Sequence, residues 1–266
     1  MKTNLRLVAV TLTLLSASLA GCLGKESDGV GEYNGPIDLV VYYDTTAGMI
    51  ETSMTNGQQG QTTGVTLSFD FADTTSEDGN ITKITLDPDD GSDVIEGNPD
   101  ENAILSYEWL THGVFEINVG AEDAEGNSHE VEIVIRIDMH AVWTQFDTSS
   151  SSMDFDATPD CEDGQPIAES ITIVSSVTNQ EEFPFGGGDS EVTWSLSNPD
   201  GEEVATKTSG TIAGGQTESW DIVVDEVVEG LWTLTAEASG DNVNVENDVT
   251  ILYPEGSEDS PNPRSD

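Results

Sequence analysis

The segment Val-Glu-Ile-Val-Ile-Arg-Ile, at residues 131–137, indicates the fold class of this chain. Its odd positions are all β-branched apolar residues, whereas its even positions include Glu132 and Arg136. Because successive side chains of a strand point to opposite faces, this alternation predicts a strand with one face on a core and the other in water. Such half-buried strands are typical of antiparallel sheets.

The same period of two recurs along most of the chain, at 65–71, 115–119, 192–196, 220–224, 232–236 and 249–253. Clusters of Gly, Asn, Asp and Glu separate these segments and favour turns, at 77–80, 89–91, 125–127, 198–201 and 214–215. No segment after the first 22 residues has a convincing helical period over three turns. The sequence therefore predicts an all-β protein whose short strands form β-sandwiches.

The segment after residue 137 sets the predicted division of the chain. It reads Met139-His140-Ala141-Val142-Trp143 and begins a further strand, so we place a domain join near residue 138. This gives one sandwich at 37–138 and a second, in tandem, at 139–253. We interpret the serine run at 149–152 and the loop around Cys161 as interruptions near the start of the second sandwich.

The first residues have the layout of a secretory signal peptide. Lys2 and Arg6 precede an apolar run that is shorter than the ~20 residues of a comfortable membrane span. The run ends in Leu19-Ala20-Gly21-Cys22, which resembles the lipobox of prokaryotic lipoproteins. The resemblance implies cleavage after residue 21, lipidation of Cys22, and a place on the extracellular face of the cell membrane. The alternatives are an ordinary secretory signal with a chance Cys, or an uncleaved anchor helix.

Two segments outside the predicted sandwiches contain few apolar residues that a core could bury. Residues 22–36 comprise Cys22 and a stretch rich in Gly and acidic residues, which is typical of a flexible tether. Residues 254–266 are polar and rich in Pro and are predicted to be a disordered acidic tail.

This chain is strongly acidic, with 52 acidic residues against seven Lys and Arg and a net charge of −45. Phosphates would be repelled, so a nucleic-acid partner is disfavoured. Self-repulsion destabilises such a domain at low salt and is screened at molar salt, where the Debye length is ~3 Å. The acidity resembles that of secreted halophilic proteins, and we expect the melting temperature to rise between low and molar salt. An acidic surface that binds calcium is the functional alternative.

Residues 37–138 resemble a PKD domain in three stretches that occur in the family's order. The stretch 67–81 resembles the family's "FDAS…DPDGTI", and 106–127 resembles its "Y…G-x-Y-x-V-x-L…D-x-x-G". The family's central Trp-Asp-Phe-Gly-Asp-Gly is matched at 86–91 only by Asp87, Asp90 and Gly91. The resemblance implies a sandwich of immunoglobulin type in a secreted or surface protein.

Residues 139–253 resemble a second immunoglobulin-like sandwich. The segments at 192–201 and 230–236 are similar to hairpins and strands of extracellular adhesion-like modules. Trp194, Trp220 and Trp232 fall on alternating apolar sets, so we predict that they are core residues. The alternative is a carbohydrate-binding stripe that also includes Trp143.

The candidate ligand site is a loop with carboxylates at Asp87, Asp89, Asp90 and Asp93. Calcium takes six to eight oxygen ligands and suits flexible acidic loops, so these residues are candidate calcium ligands. The alternative is a set of solvated turns, because Asp favours turn geometry. Asn80-Ile81-Thr82 is a candidate glycosylation site at Asn80.

No catalytic motif is present in the sequence, such as a nucleophile elbow, a zinc-protease helix or a phosphate-binding glycine loop. We therefore predict a non-enzymatic surface lipoprotein whose two modules serve extracellular binding or adhesion. Its expected partners are the membrane, through the lipid, and a polysaccharide or envelope protein. The alternatives are a structural spacer and an accessory subunit beside a secreted enzyme or transporter.

Overall fold

The computed structural model describes residues 33–162, 164, 166–180 and 188–265. The first part of this region forms ten strands: β1 (Ile37–Asp38), β2 (Ala47–Thr55), β3 (Gln58–Gln59), β4 (Val65–Asp70), β5 (Thr75–Ser76), β6 (Ile81–Asp87), β7 (Ile95–Gly97), β8 (Ile104–Trp109), β9 (Gly113–Asp123) and β10 (Ser128–Thr148). Seven follow: β11 (Ser150–Asp156), β12 (Ser170–Asn179), β13 (Ser190–Ser197), β14 (Glu203–Thr208), β15 (Thr217–Val224), β16 (Leu231–Gly240) and β17 (Val243–Leu252). The predicted all-β fold is confirmed.

The strand β10 organises both halves of the chain. Its residues 128–137 pair with β9 and its residues 139–148 pair with β17, both antiparallel. Its residues 136–144 also pair with β2 in parallel. At residues 136 and 137 both β9 and β2 are partners, so they lie on opposite edges of β10. The strands β9 and β17 therefore follow one another along the same edge.

Two packed layers form around each half of β10. In the first half, β4 and β8 pair with each other and cover β6, β9 and β10. Trp109 of β8 lies 6.3 Å from Phe115 of β9, measured between ring centroids, and both are fully buried. In the second half, a four-stranded sheet in the order β11-β16-β13-β14 covers β15, β12, β17 and β10. Trp194 of β13 contacts Trp220 of β15 across these layers, with centroids 6.5 Å apart. The chain is thus built of β-sandwiches.

The predicted domain join at residue 138 lies inside β10, which crosses it without a break. Ile135 and Ile137 are buried on one side of this position, and Met139 and Ala141 on the other. All four are odd-numbered, so the same face of the strand contributes to both halves. The described residues from Gly35 onward form one compact unit by contact, and the division into two domains stays a prediction.

The serine run at 149–152 belongs largely to β11, so its interpretation as an interruption is wrong. Ser151, Met153 and Phe155 are buried, while Ser152 and Asp154 are exposed. The alternation is that of a strand, and serine is small enough to lie on either face. The loop around Cys161 does follow, and the Cys161 side chain is buried.

Residues 254–265 follow a defined path, although their composition predicts disorder. Asp259 donates its backbone N–H to Val134 and accepts the Val134 N–H on its carboxylate, both at 2.9 Å. Asn262 exchanges backbone hydrogen bonds with Tyr43 at 3.0 and 3.1 Å. Arg264 pairs with Asp73 at 2.8 Å. The tail has little apolar surface to bury, and specific polar contacts hold it against the sandwich.

Candidate binding groove

A pocket of about 230 Å³ lies where the inner face of β2 and β10 meets the edge of β11. We call it the β2–β11 groove and define it by six residues: Thr52, Met54, Met139, Trp143, Met153 and Phe155. Most of its lining is apolar, and three of the six residues are methionines. Methionine side chains are flexible and polarisable, and are frequent at surfaces that adapt to their ligands.

Strand register explains how the sequence forms this groove. On β10, Ala141 pairs with Thr52 of β2, and Trp143 pairs with Met54. Paired residues present their side chains on the same face of a sheet, so this inner face continues from β10 onto β2. The covering sheet ends at β11. The groove lies along the edge of β11, where the sheet that contains β2 and β10 extends past the covering sheet.

Trp143 contributes an unpaired donor to this region. Its Nε1 is buried, and no acceptor lies within hydrogen-bond reach in the part of the chain that the structure describes. Directly opposite on β17 is Asn247, whose Nδ2 is also buried without an acceptor among the described residues. Buried polar groups are nearly always hydrogen-bonded in native proteins. An acceptor atom placed here would therefore stabilise the site.

His112 lies at the end of the groove and is held by two hydrogen bonds. Its Nε2 lies 3.1 Å from the Asp156 carbonyl oxygen, and its Nδ1 lies 2.8 Å from the Tyr253 hydroxyl. A carbonyl oxygen only accepts, so Nε2 carries the proton and donates, while Nδ1 accepts from the Tyr253 hydroxyl. Burial lowers the pKa of His112 below its ordinary value. The ring is therefore neutral at pH 7.

This neutral histidine predicts a loss of stability in mild acid. Because the pKa of His112 is lowered by folding, its contribution is fully present above the unfolded value of about 6.5 and is lost as the pH falls below it. We expect the wild type to lose more free energy of unfolding between pH 7.5 and pH 5 than a His112→Gln variant. Urea denaturation at each pH measures this difference. Parallel pH profiles for the two proteins would contradict the assignment.

Three of the four predicted calcium ligands already accept hydrogen bonds from other groups of the protein. Asp87 accepts the Asp89 N–H at 3.3 Å, and the Asp89 carboxylate accepts the Glu116 N–H at 2.8 Å. Asp90 accepts the Tyr107 hydroxyl at 2.6 Å. Asp89 has a positive φ of 59°, which Asp tolerates better than most residues.

The fourth candidate, Asp93, is exposed. Across the described ranges, no group of three or more His, Cys, Asp or Glu side chains is arranged to hold a metal ion. Calcium binding would therefore require these carboxylates to exchange their present partners for the ion, and it stays a prediction.

A calcium titration tests that prediction. If the loop binds the ion, saturation at 100 times Kd raises the free energy of unfolding by about 2.7 kcal/mol, and the melting temperature rises with calcium in moderate salt. An Asp90→Asn variant should abolish the rise, whereas Asp225→Asn, which removes one carboxylate outside the loop, should preserve it. An unchanged melting temperature of the wild type would remove the calcium site.

Two other predicted sites have different outcomes. Asn80 is exposed and lies directly before β6, so a glycan has access, and the modification stays a prediction. Cys22 lies outside the described residues. No helix long and apolar enough for a membrane span occurs in the ranges that the structure describes.

The tryptophan prediction is confirmed for the three core residues. Trp194, Trp220 and Trp232 are 0%, 8% and 1% exposed, and so none of them presents a flat face to a sugar. Trp143 is different because it lines the groove. His112 and the methionines were not predicted from the sequence. The signal was present at 139–143, where Met139, Ala141 and Trp143 alternate, but it does not reveal which strand covers them.

Comparisons with known proteins leave the family open. No protein-family model matches the sequence, and no curated protein matches it. One similar solved structure concerns carbohydrate-binding modules of the β-sandwich superfamily, with 12% identity, 84% of this chain and 100% of that chain covered, and a TM-score of 0.30. Another is Bacteroides uniformis β-glucuronidase 2, with 9% identity, 81% and 30% covered, and a TM-score of 0.26.

A third is the Bacteroides ovatus protein SGBP-B in complex with a mixed-linkage heptasaccharide, with 10% identity, 77% and 52% of the two chains covered, and a TM-score of 0.18. This chain thus spans about a third of the β-glucuronidase and about half of SGBP-B. The fold of this chain is assigned from its own strand pairing.

Proposed function

We propose that this protein is a non-enzymatic surface lipoprotein that binds an extracellular ligand in the β2–β11 groove. The observation that carries the proposal is the groove itself, an apolar pocket of about 230 Å³ in a chain with a net charge of −45. Ligand sites are typically concave and apolar, with a few placed polar groups. Here the polar groups are the Trp143 Nε1 and the rim residues Thr52 and Asp156.

Charge narrows the class of ligand. The rim of the groove carries Asp154 and Asp156, and 52 acidic residues surround it along the chain. An anionic polymer would be repelled before it reached the site. The ligand is therefore neutral or cationic, which includes neutral polysaccharides and uncharged or basic segments of envelope proteins.

Binding without catalysis is part of this proposal. His112 lines the groove, and both of its ring nitrogens are already committed to Tyr253 and Asp156. A general base must reach a substrate proton with an unoccupied nitrogen. The role we assign to His112 is to hold β11 and Tyr253, the residue that follows β17, together at the end of the groove.

The membrane anchor is proposed from the sequence. Diacylglyceryl on Cys22 would hold the sandwiches outside the cell, with residues 23–36 as the tether. Intact mass measurement of the purified protein tests this: an N-terminus at Cys22 carrying the lipid supports it, and an unmodified leader at residue 1 contradicts it.

Filling the groove tests the binding function. We expect a Thr52→Trp variant to lose affinity for the ligand, because Thr52 lines the pocket and is only partly buried. The matched control is Val223→Trp, which adds the same indole to an exposed position of β15. The full chain in detergent is titrated at molar salt against neutral oligosaccharides and against peptides. Binding that survives Thr52→Trp, or no binding at all, would contradict the proposal.

A second candidate function, a rigid spacer, is favoured by the unbroken strand β10. A strand of 21 residues that pairs along both halves leaves little freedom between them. Spin labels at Asp78 and Asp225 should then give one narrow distance distribution by pulsed electron resonance. A broad distribution would exclude the spacer and leave the binding function unaffected.

A further inference from the structure

Along the edge of β11 that faces the groove, alternate residues direct their backbone N–H and C=O groups away from the neighbouring strand. Among the described strands, β11 pairs only with β16. At the two ends of this pairing, the Ser149 carbonyl accepts the Ala238 N–H and the Ala157 N–H reaches the Gly230 carbonyl. Antiparallel pairs alternate between bonded and non-bonded positions. The odd residues of β11 therefore bond to β16, and the even residues direct their N–H and C=O groups away from it.

Neighbouring side chains already cap three of the outward backbone groups of these even residues. The Ser150 N–H and C=O both bond to the Thr148 hydroxyl, at 3.1 and 2.6 Å. The Asp156 carbonyl accepts from His112 at 3.1 Å. Between these caps, the backbone groups of Ser152 and Asp154 have no partner among the described residues. The Asp156 N–H likewise has no partner among the described residues, so a window of three outward donors and two outward acceptors is left open.

This window lies beside the pocket. Met153 and Phe155 point inward from β11 and line the groove opposite Met54 and Trp143. A strand placed along the window would direct every second side chain into the pocket, because side chains of a strand alternate between its two faces. The pocket of about 230 Å³ has room for apolar side chains, and the methionines adapt to their shape.

The outer face of the same window is acidic. Ser152 and Asp154 are exposed there, and Asp156 follows on the same face. Residues opposite one another on neighbouring strands interact, and opposite charges stabilise the pair. A segment with Lys or Arg on its outer face and apolar residues on its inner face complements both surfaces.

We propose that the groove binds an extended polypeptide segment that adds as a further strand to β11. The segment alternates basic and apolar residues, and its backbone bonds to Ser152 and Asp154. Strand addition of this kind uses main-chain bonds for affinity and side-chain pockets for specificity. This inference rests on the proposed binding function, and it names a protein segment rather than a glycan as the partner.

The probe is a capped synthetic heptapeptide of alternating Lys and Val, titrated into the full chain. Two derivatives carry N-methyl groups, either on all Lys amides or on all Val amides. In an antiparallel strand the Lys amides bond to β11, and in a parallel strand the Val amides do. We expect one derivative to bind about tenfold more weakly or worse and the other to retain affinity. Equal binding by both derivatives would overturn strand addition.

A protein variant gives the matched test. Ser152→Pro removes the outward N–H and no bond to β16, because the N–H of this even residue is directed away from β16. Proline is tolerated at such edge positions. Its control, Ser152→Ala, loses the hydroxyl but keeps the N–H. We expect weaker peptide binding only for Ser152→Pro. If that variant does not fold, the N-methyl peptides decide the matter with the wild type.

The failures of the two proposals are distinguishable. Neutral hexasaccharides that bind at the groove, while the peptide does not, would overturn strand addition and preserve the binding function. Loss of all binding, by peptide and hexasaccharide alike, would overturn both.

Discussion

Replacing Arg136 with Met is expected to lower the free energy of unfolding by about 3–5 kcal/mol, the usual cost of removing one partner from a buried ion pair. Arg136 pairs with Asp138 and, at 3.1 Å, with Glu258. The Arg136 and Asp138 side chains are only 14% and 8% exposed. Burial alone would lower the pKa of Arg136, but Glu258 and Asp138 outweigh it and raise the pKa.

The large effect follows from what the substitution leaves behind. Asp138 also accepts the Tyr253 N–H at 2.9 Å, and without Arg136 that N–H is the one donor left to its buried charge among the described residues. Arg136→Lys keeps the charge but loses the forked geometry, so it should recover part of the stability. Urea denaturation measures both variants. The Met variant should also expose residues 254–265 to proteases, because Glu258 loses its partner. A decrease in the free energy of unfolding below about 1 kcal/mol would show that this pair contributes no more than an exposed ion pair.

Replacing Trp194 with Ala is expected to cost about 3–5 kcal/mol, as for other buried aromatic residues. Trp194 is fully buried and its Nε1 donates to the Ser175 hydroxyl at 2.9 Å. Ser175 in turn donates to Asn247 at 2.6 Å. The substitution thus leaves a cavity and removes one end of a buried hydrogen-bond chain.

Two further variants separate these contributions. Trp194→Phe keeps an aromatic ring and loses the indole N–H, so it should cost about 1–3 kcal/mol for the unpaired group, and more where the smaller ring leaves a gap. Ser175→Ala should be non-additive with Trp194→Phe, since both break the same bond. If Trp194→Ala instead left stability unchanged and abolished oligosaccharide binding, Trp194 would be an exposed sugar platform and the packing described for the second half would be wrong.

The alternation of residues 131–137 was enough to predict a half-buried strand and, with similar segments, an all-β fold. It did not reveal that the strand continues to Thr148 and exchanges β9 for β17 as its partner. Met139, Ala141 and Trp143 keep the same period of two. Such alternation shows which face of a strand is buried, but it does not show which strand pairs with it. Partner choice depends on contacts distant in sequence, which a local pattern does not encode.

The groove and the tail were missed for related reasons. Thr52 and Met54 lie on a strand of weak alternation, and they meet Trp143 only because β2 pairs with β10 in parallel. The tail has a composition typical of disorder, yet Glu258 and Asp259 reach Arg136 and Val134. In a chain with seven basic residues against 52 acidic ones, composition does not show which carboxylates pair with the few cations.

Amide hydrogen exchange measured by NMR can show whether the free edge of β11 beside the groove is the binding surface. In the free protein, the amides of Met153 and Phe155 should exchange slowly and those of Ser152 and Asp154 quickly. Addition of the Lys-Val peptide should slow Ser152 and Asp154 and leave Val223, on β15, unchanged. Unaltered exchange at Ser152 and Asp154 under saturating peptide would contradict the claim.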